Sequence, residues 1–360
     1  MRHINILLAT AALLVASISC EKTDYGAPDK DKYIYDIPQT TLDSDAILGC
    51  YYLNYTSEVT SKIPEIPSLG FYKTSDDGVI AQHISWADQA GLDFFILNWN
   101  GTSGDKSLVD DFIKARKSGA EVRFILCYDT KHLNVTNESP LESENKYKSL
   151  IAEFVDELSV YMLDESYFKI DGRPVIMFTP SNLSSDALLS IDYKKVIDGF
   201  RTDFESFYGV EPFVIGQITT GWVAPVNYAD HQIYSFDAVV ANSWKTRSYD
   251  VFFGYFSFLD INWNNWKTTL EKRAVDFIPC VYPSYNDRVK DTKSYYYTFA
   301  EDGDVKDYVN FCNVAKRNVG SHNLVFINSW NDWAYGTNLE PSDLKETRFL
   351  DETKKQFKKQ

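Results

Sequence analysis

From residue 47 onward, short apolar runs alternate with segments whose apolar residues recur at the helical period. The strand-like runs cover 47–53, 92–99, 122–128, 173–178, 212–218, 236–241, 277–282 and 324–328. Most are apolar almost throughout, the mark of strands buried on both faces. Between them the spacing predicts helices over 76–90, 106–118, 144–163, 192–208, 250–272, 304–316 and 347–359. Asp76 and Asp77 suit a helix start, and Gly91 and Gly119 suit helix ends. The stretch 262–265 is a poor helix former inside its segment, and Asp171-Gly172 predicts a turn into the fourth strand. Eight such units predict an α/β fold, a (β/α)8 TIM barrel in a single domain. The rival is an open doubly wound sheet, which would place a ligand where strand order reverses; no dinucleotide fingerprint marks such a place.

The first twenty residues stand apart. Arg2 and His3 precede an apolar run, Ile4 to Ile18, followed by Ser19-Cys20. The run is too short for a stable bilayer span and has the order of an export signal. With Cys20 directly after Ser19 it resembles a bacterial lipoprotein signal, in which that cysteine becomes the lipidated N-terminus. Residues 21–45 then form a tether, and 46–360 the barrel. The expectation is an exported protein, lipid-anchored to the outer membrane and touching the membrane only through that anchor. A plain secreted protein cut nearby is the alternative.

A net charge of −15 argues against nucleic acid and anionic membrane surfaces as partners. The other cysteines, Cys50, Cys127, Cys280 and Cys312, lack metal-ligand spacing. Three sit in apolar runs, as buried free thiols would, although a disulfide among the four stays open. The histidines are scattered and no phosphate loop occurs, so no cofactor and no metal are expected. The chain is expected to act as a monomer.

In a (β/α)8 barrel the active site lies at the carboxyl ends of the strands. Those ends carry Asn98-Trp99-Asn100, Tyr128-Asp129, Asn242-Ser243-Trp244, Tyr285-Asn286-Asp287 and Trp330-Asn331-Asp332-Trp333-Ala334-Tyr335. Aromatics, carboxamides and acids thus gather on one rim, while the other has ordinary caps and turns. Flat rings beside amides fit sugars, whose faces are C–H and whose edges are hydroxyl. Glycoside cleavage commonly needs two carboxyl groups, and Asp129, Asp287 and Asp332 are the candidates. Asp332 lies between two tryptophans, where desolvation would raise its pKa toward the range of a proton-transfer group.

These segments resemble glycoside hydrolase family 99 and the broader barrel group around it, which includes polysaccharide-locus proteins labelled glycosyltransferase-like. The likeness runs along most of 47–355. It is carried by Asp76-Asp77-Gly78-Val79-Ile80, Ala90-Gly91-Leu92-Asp93-Phe94-Phe95, Ile170-Asp171-Gly172-Arg173-Pro174-Val175, Pro283-Ser284-Tyr285-Asn286-Asp287-Arg288, and Asn331-Asp332-Trp333 through Glu340-Pro341. It implies an endo-acting, retaining α-mannosidase or α-mannanase in which one carboxylate deprotonates the sugar 2-hydroxyl. A second, three residues later, protonates the leaving oxygen. Asp332 and Tyr335 occupy those two positions, each where the family has glutamate, and Asp129 matches a strand-three acid that contacts sugar. A phenol ordinarily titrates near pH 10, so the missing acid would come from Asp129, Asp287 or Glu340. The implied partner is an oligosaccharide or polysaccharide, held by Tyr52, Trp99, Asn100, Tyr128, Trp244, Tyr285, Asp287, Trp330, Asn331, Trp333 and Glu340. The alternative is a surface glycan-binding protein that kept the cleft without turnover.

Overall fold

The computed structural model describes residues 34–58, 62–116, 119–136, 138–179, 192–218, 233–241 and 254–359. Cys20 and the leader, part of the tether, and the expected rim segment with Trp244 lie outside them.

The strands are β1 (Ile47–Tyr52), β2 (Phe94–Trp99), β3 (Arg123–Asp129), β4 (Lys169–Ile170), β5 (Arg173–Thr179), β6 (Phe213–Gln217), β7 (Ala238–Val240), β8 (Asp276–Ile278), β9 (Cys280–Val281) and β10 (Leu324–Ile327). The helices are α1 (Val79–Ala90), α2 (Ser103–Ala115), α3 (Glu144–Asp156), α4 (Ser159–Met162), α5 (Tyr193–Tyr208), α6 (Tyr255–Glu271), α7 (Lys306–Asn318) and α8 (Arg348–Phe357). Hydrogen-bonded strands run in the order β8-β7-β6-β5-β3-β2-β1-β10-β9, and every pair on this path is parallel. The two ends, β8 and β9, are one chain segment interrupted at Pro279. Proline cannot donate to a ladder; the half before it pairs with β7 and the half after it with β10. The sheet thereby closes into a (β/α)8 barrel, and the open doubly wound alternative falls away. The short β4 lies outside this ring, in a hairpin with β5. Its turn is Asp171-Gly172, with φ of 51° and 79°, the left-handed pair such a hairpin needs.

Local differences from expectation have simple causes. Asp76 and Asp77 do not cap α1. Gly78 does, in a left-handed conformation, while Asp76 accepts the Lys73 N–H at 2.8 Å. Helix α2 starts earlier than its pattern suggests, at a capping box between Thr102 and Asp105, and ends before Gly119. The stretch 262–265 is helical, because Trp263 and Trp266 are buried against Phe277. That burial outweighs the roughly 0.7 kcal/mol per residue that asparagine costs in a helix. Cys50, Cys127, Cys280 and Cys312 are all free and buried. Among the described residues, no helix is long and apolar enough to cross a membrane.

Candidate active site at the carboxyl mouth of the barrel

Strand phase decides which side chains reach the lumen. The Tyr51 hydroxyl donates to Gln217 Oε1 at 3.2 Å, joining β1 to β6 across the barrel, so both residues point inward. Side chains alternate along a strand, and paired residues share a face. Tyr51 pairs with Ile96, which puts Asn98 inward. Asn98 pairs with Cys127, which puts Asp129 inward, and Asp129 pairs with Thr179. Cys127 Sγ lies 2.7 Å from Thr179 Oγ1, consistent with that phase, and burial pushes the thiol up to about 12. Asn98 is exposed although it sits within a strand; Asp129, Thr179 and Gln217 are half-buried. The mouth is therefore open, with Tyr51 in its floor. Asn98 is one of the carboxamides expected at this rim, whereas no local signal in the chain singles out Tyr51, Thr179 or Gln217, since each reads as one more strand residue.

The segment after β10 closes one side of this mouth. The Trp330 N–H donates to the Tyr51 carbonyl at 2.7 Å, and the Asp332 N–H to Ser329 Oγ at 2.6 Å. Asp332 and Tyr335 are both half-buried. Burial drives the Asp332 carboxyl above the usual range. Hydrogen bonds from the Tyr335 and Ala334 N–H groups and the charge of Lys290 oppose that rise without cancelling it. Exposed Lys290 places its ammonium 3.9 Å from the Tyr335 ring centre. The Tyr285 ring is stacked on Tyr335 with centres 6.4 Å apart, and its hydroxyl donates to Asp287 Oδ2 at 3.0 Å. The Asn286 N–H donates to the Tyr335 carbonyl at 2.9 Å, tying the two loops together. A buried ion pair, Lys345 Nζ to Glu65 Oε1 at 2.7 Å, braces them; Lys345 also donates to Ser284 Oγ at 2.6 Å.

Several expected sugar contacts lie elsewhere. Tyr52, Trp99 and Tyr128 are one position out of phase with the lumen and face the helices. Tyr52 Oη lies 2.9 Å from Nδ1 of His83 in α1. Trp99 Nε1 donates to Glu153 of α3 at 2.6 Å, and the Tyr128 hydroxyl to the same carboxylate at 2.5 Å. Trp330 is fully buried against His83 and Phe95, and Trp333 packs with Tyr72 and Val79. A sugar ring cannot stack on a side chain with no exposed surface, so these tryptophans belong to the core. The buried Asn331 amide is taken up by the Leu53 backbone, at 2.8 and 3.1 Å. Asn100 stays at the rim, half-buried, its N–H held by Asp105 at 2.9 Å.

Glu340 is also withdrawn from the mouth. It is fully buried, accepts the Tyr72 hydroxyl at 2.6 Å, and lies 3.1 Å from His83 Nε2. With Tyr52 on the other ring nitrogen, this chain of polar groups joins β1, α1 and the segment after β10. His83 sits on the buried face of α1 beside Ile80 and Ile84, where the sequence pattern alone reads as ordinary core. Tyr285 and Asp287 are near the mouth but buried. Of the three candidate acids, Asp129 and Asp332 are the two with partial access to solvent.

Residues 55–353 match the family model described as Glycosyltransferase WbsX. No curated protein matches the chain. Among solved structures, a glycoside hydrolase-like protein superposes with a TM-score of 0.76 at 20% identity, covering 92% of this chain and 99% of that one. The GH99 endo-α-mannosidase from Bacteroides thetaiotaomicron, bound to bis-tris-propane, superposes with a TM-score of 0.60 at 18% identity, covering 87% and 96%. Identities this low establish the fold alone, and that fold is a GH99-like barrel. The family match spans most of the barrel, from the residues after β1 into α8, and on that ground the chain belongs to the WbsX family.

Proposed function

We propose that the protein is an exported glycoside hydrolase, endo-acting on α-mannoside-type or related glycans, with Asp332 as a catalytic carboxylate. The observation that carries this reading is the setting of Asp332: half-buried at the mouth, held by two backbone N–H groups, its carboxyl raised by burial. A carboxylate made more basic by desolvation is a better proton acceptor. Asp332 takes the proton of a sugar 2-hydroxyl, whose oxygen attacks the anomeric carbon as the glycosidic bond breaks. The leaving oxygen needs a proton, and Tyr335 stands where the resemblance places a glutamate. Glu340 is locked in its buried network and Asp287 is buried and bonded to the Tyr285 hydroxyl, so Asp129 is the acid we assign to that step. The likeness to an endo-α-mannosidase supports the substrate class. The family's description names glycosyl transfer, and with a glycoside as donor a retaining site hydrolyses or transfers according to whether water or a sugar hydroxyl receives the glycosyl group.

A second reading, glycan binding without turnover, is favoured by Tyr335 itself. One experiment separates the two: incubation with α-mannans and host-type glycans, with product analysis beside calorimetry. Shortened chains from the wild type and none from Asp332→Asn support hydrolysis. Binding without products supports the second reading. For the leader, we propose lipidation at Cys20 and an outer-membrane anchor; lipid label that persists in Cys20→Ala would refute it.

A further inference from the structure

A short turn follows β3, spanning Thr130–Leu133, and its geometry fixes the protonation of one side chain. His132 Nδ1 lies 2.5 Å from the Asp129 carbonyl oxygen, and its Nε2 lies 2.8 Å from Glu153 Oε2. A carbonyl oxygen only accepts, so Nδ1 carries a hydrogen. Glu153 already receives the Trp99 indole N–H on Oε1 and the Tyr128 hydroxyl on Oε2. Two neutral donors on one carboxyl favour its charged form, which leaves the third proton on Nε2. The ring is then an imidazolium with both N–H groups engaged. The same turn holds the Asp129 side chain, because Asp129 Oδ1 accepts the Lys131 N–H at 2.8 Å.

We propose that His132 and Glu153 are positioning residues for Asp129: the imidazolium clamps the Asp129 backbone to helix α3 and so fixes where its carboxylate enters the mouth. This rests on the reading that Asp129 serves the glycan site. Among the described residues, the charged groups around the clamp are few. Helix α3 and its C-cap supply Glu153 and Glu157, and α3 also supplies Lys146, which donates to the Leu133 carbonyl at 2.6 Å. The turn supplies Asp129 and Lys131, while β2 and β3 present the neutral Trp99 and Tyr128. Burial opposes a charge on either partner. It pulls His132 down, but Glu153 and Asp129 outweigh it and hold the imidazole above 6.5. It pushes Glu153 up, but His132, Trp99 and Tyr128 outweigh it and hold the carboxyl below 4.5. The raised imidazole contributes fully below 6.5 and is lost as pH rises through its folded value. The depressed carboxyl contributes above 4.5 and is lost as pH falls through its folded value. The clamp therefore holds between those two limits.

The test is nitrogen-15 NMR of histidine-labelled full-length protein, with His132 assigned from the signal lost in His132→Gln or displaced in Glu153→Gln. The expected result is two protonated ring nitrogens at about pH 6.5, where an ordinary imidazole is half charged. The Asp129 carboxyl carbon should shift in step with His132 as pH rises. In Glu153→Gln, kcat should fall about tenfold with KM within about twofold, and the alkaline limb should move down by about one pH unit. A half-neutral ring at that pH, or an Asp129 signal indifferent to His132, would overturn the clamp, and neither readout needs turnover. An unchanged pH profile in an active Glu153→Gln enzyme would overturn the positioning role. Absence of glycan binding or cleavage by a wild type with both NMR signatures would instead defeat the functional reading.

Discussion

Asn98 and Trp99 are neighbours in β2 with opposite surroundings: one is exposed toward the lumen, the other buried against α3. On the proposed function, Asn98→Ala weakens glycan binding by about fivefold, the worth of one neutral hydrogen bond, with an unchanged melting temperature; calorimetry and thermal unfolding read the two. Trp99→Ala removes a buried ring and the donor to Glu153 Oε1, while Tyr128 and His132 still hold Oε2, at a cost of about 3–5 kcal/mol in urea unfolding. Asp332 carries the reverse trade. Its carboxyl is raised in the folded state, so this group's contribution to stability is fullest below 3.8 and is lost as pH rises through the folded value. Asp332→Asn should therefore be at least as stable as the wild type near neutral pH while losing turnover. A lower urea midpoint would show that the carboxylate holds the loop together instead.

Helices and strands are largely legible from the chain because their signals are local. The turn at Asp171-Gly172, the stop at Gly91 and the eight apolar runs all stand where the pattern places them. Side-chain phase is not legible. A strand apolar on both faces has no alternation to say which residue points inward. Hence the sequence places Tyr52, Trp99 and Tyr128 at the mouth together with Asn98 and Asp129, whereas only the last two of these face it, with Tyr51 in place of Tyr52. The loops between elements hide a second feature, the pair of Lys345 and Glu65, whose residues lie far apart in sequence. Burial lowers the Lys345 pKa, and Glu65 opposes that effect. Lys345→Met leaves Glu65 uncompensated and should cost about 3–5 kcal/mol. Adding Glu65→Gln should recover much of that loss in a double-mutant cycle; no recovery would show that the pair is not coupled.

For the molecule as a whole, closure of the sheet is what assembles a site. Parallel strands bring their carboxyl ends to one rim, so residues from β1, β2, β3, β5, β6 and the segment after β10 share a mouth. The barrel also explains which candidates drop out, since Trp99, Trp330 and Trp333, which made the sequence resemble a sugar site, are buried in the packing behind the strands. What remains is a mouth to which β3 contributes Asp129 and the segment after β10 contributes Asp332, both half-buried, without stacked tryptophans among the described residues. The most direct measurement compares wild type and Asp332→Asn against an α-mannan series, reading released oligosaccharides and binding heat on the same samples. The account predicts internal cleavage by the wild type, and in the variant retained binding with cleavage lost. Equal cleavage by both proteins would contradict it.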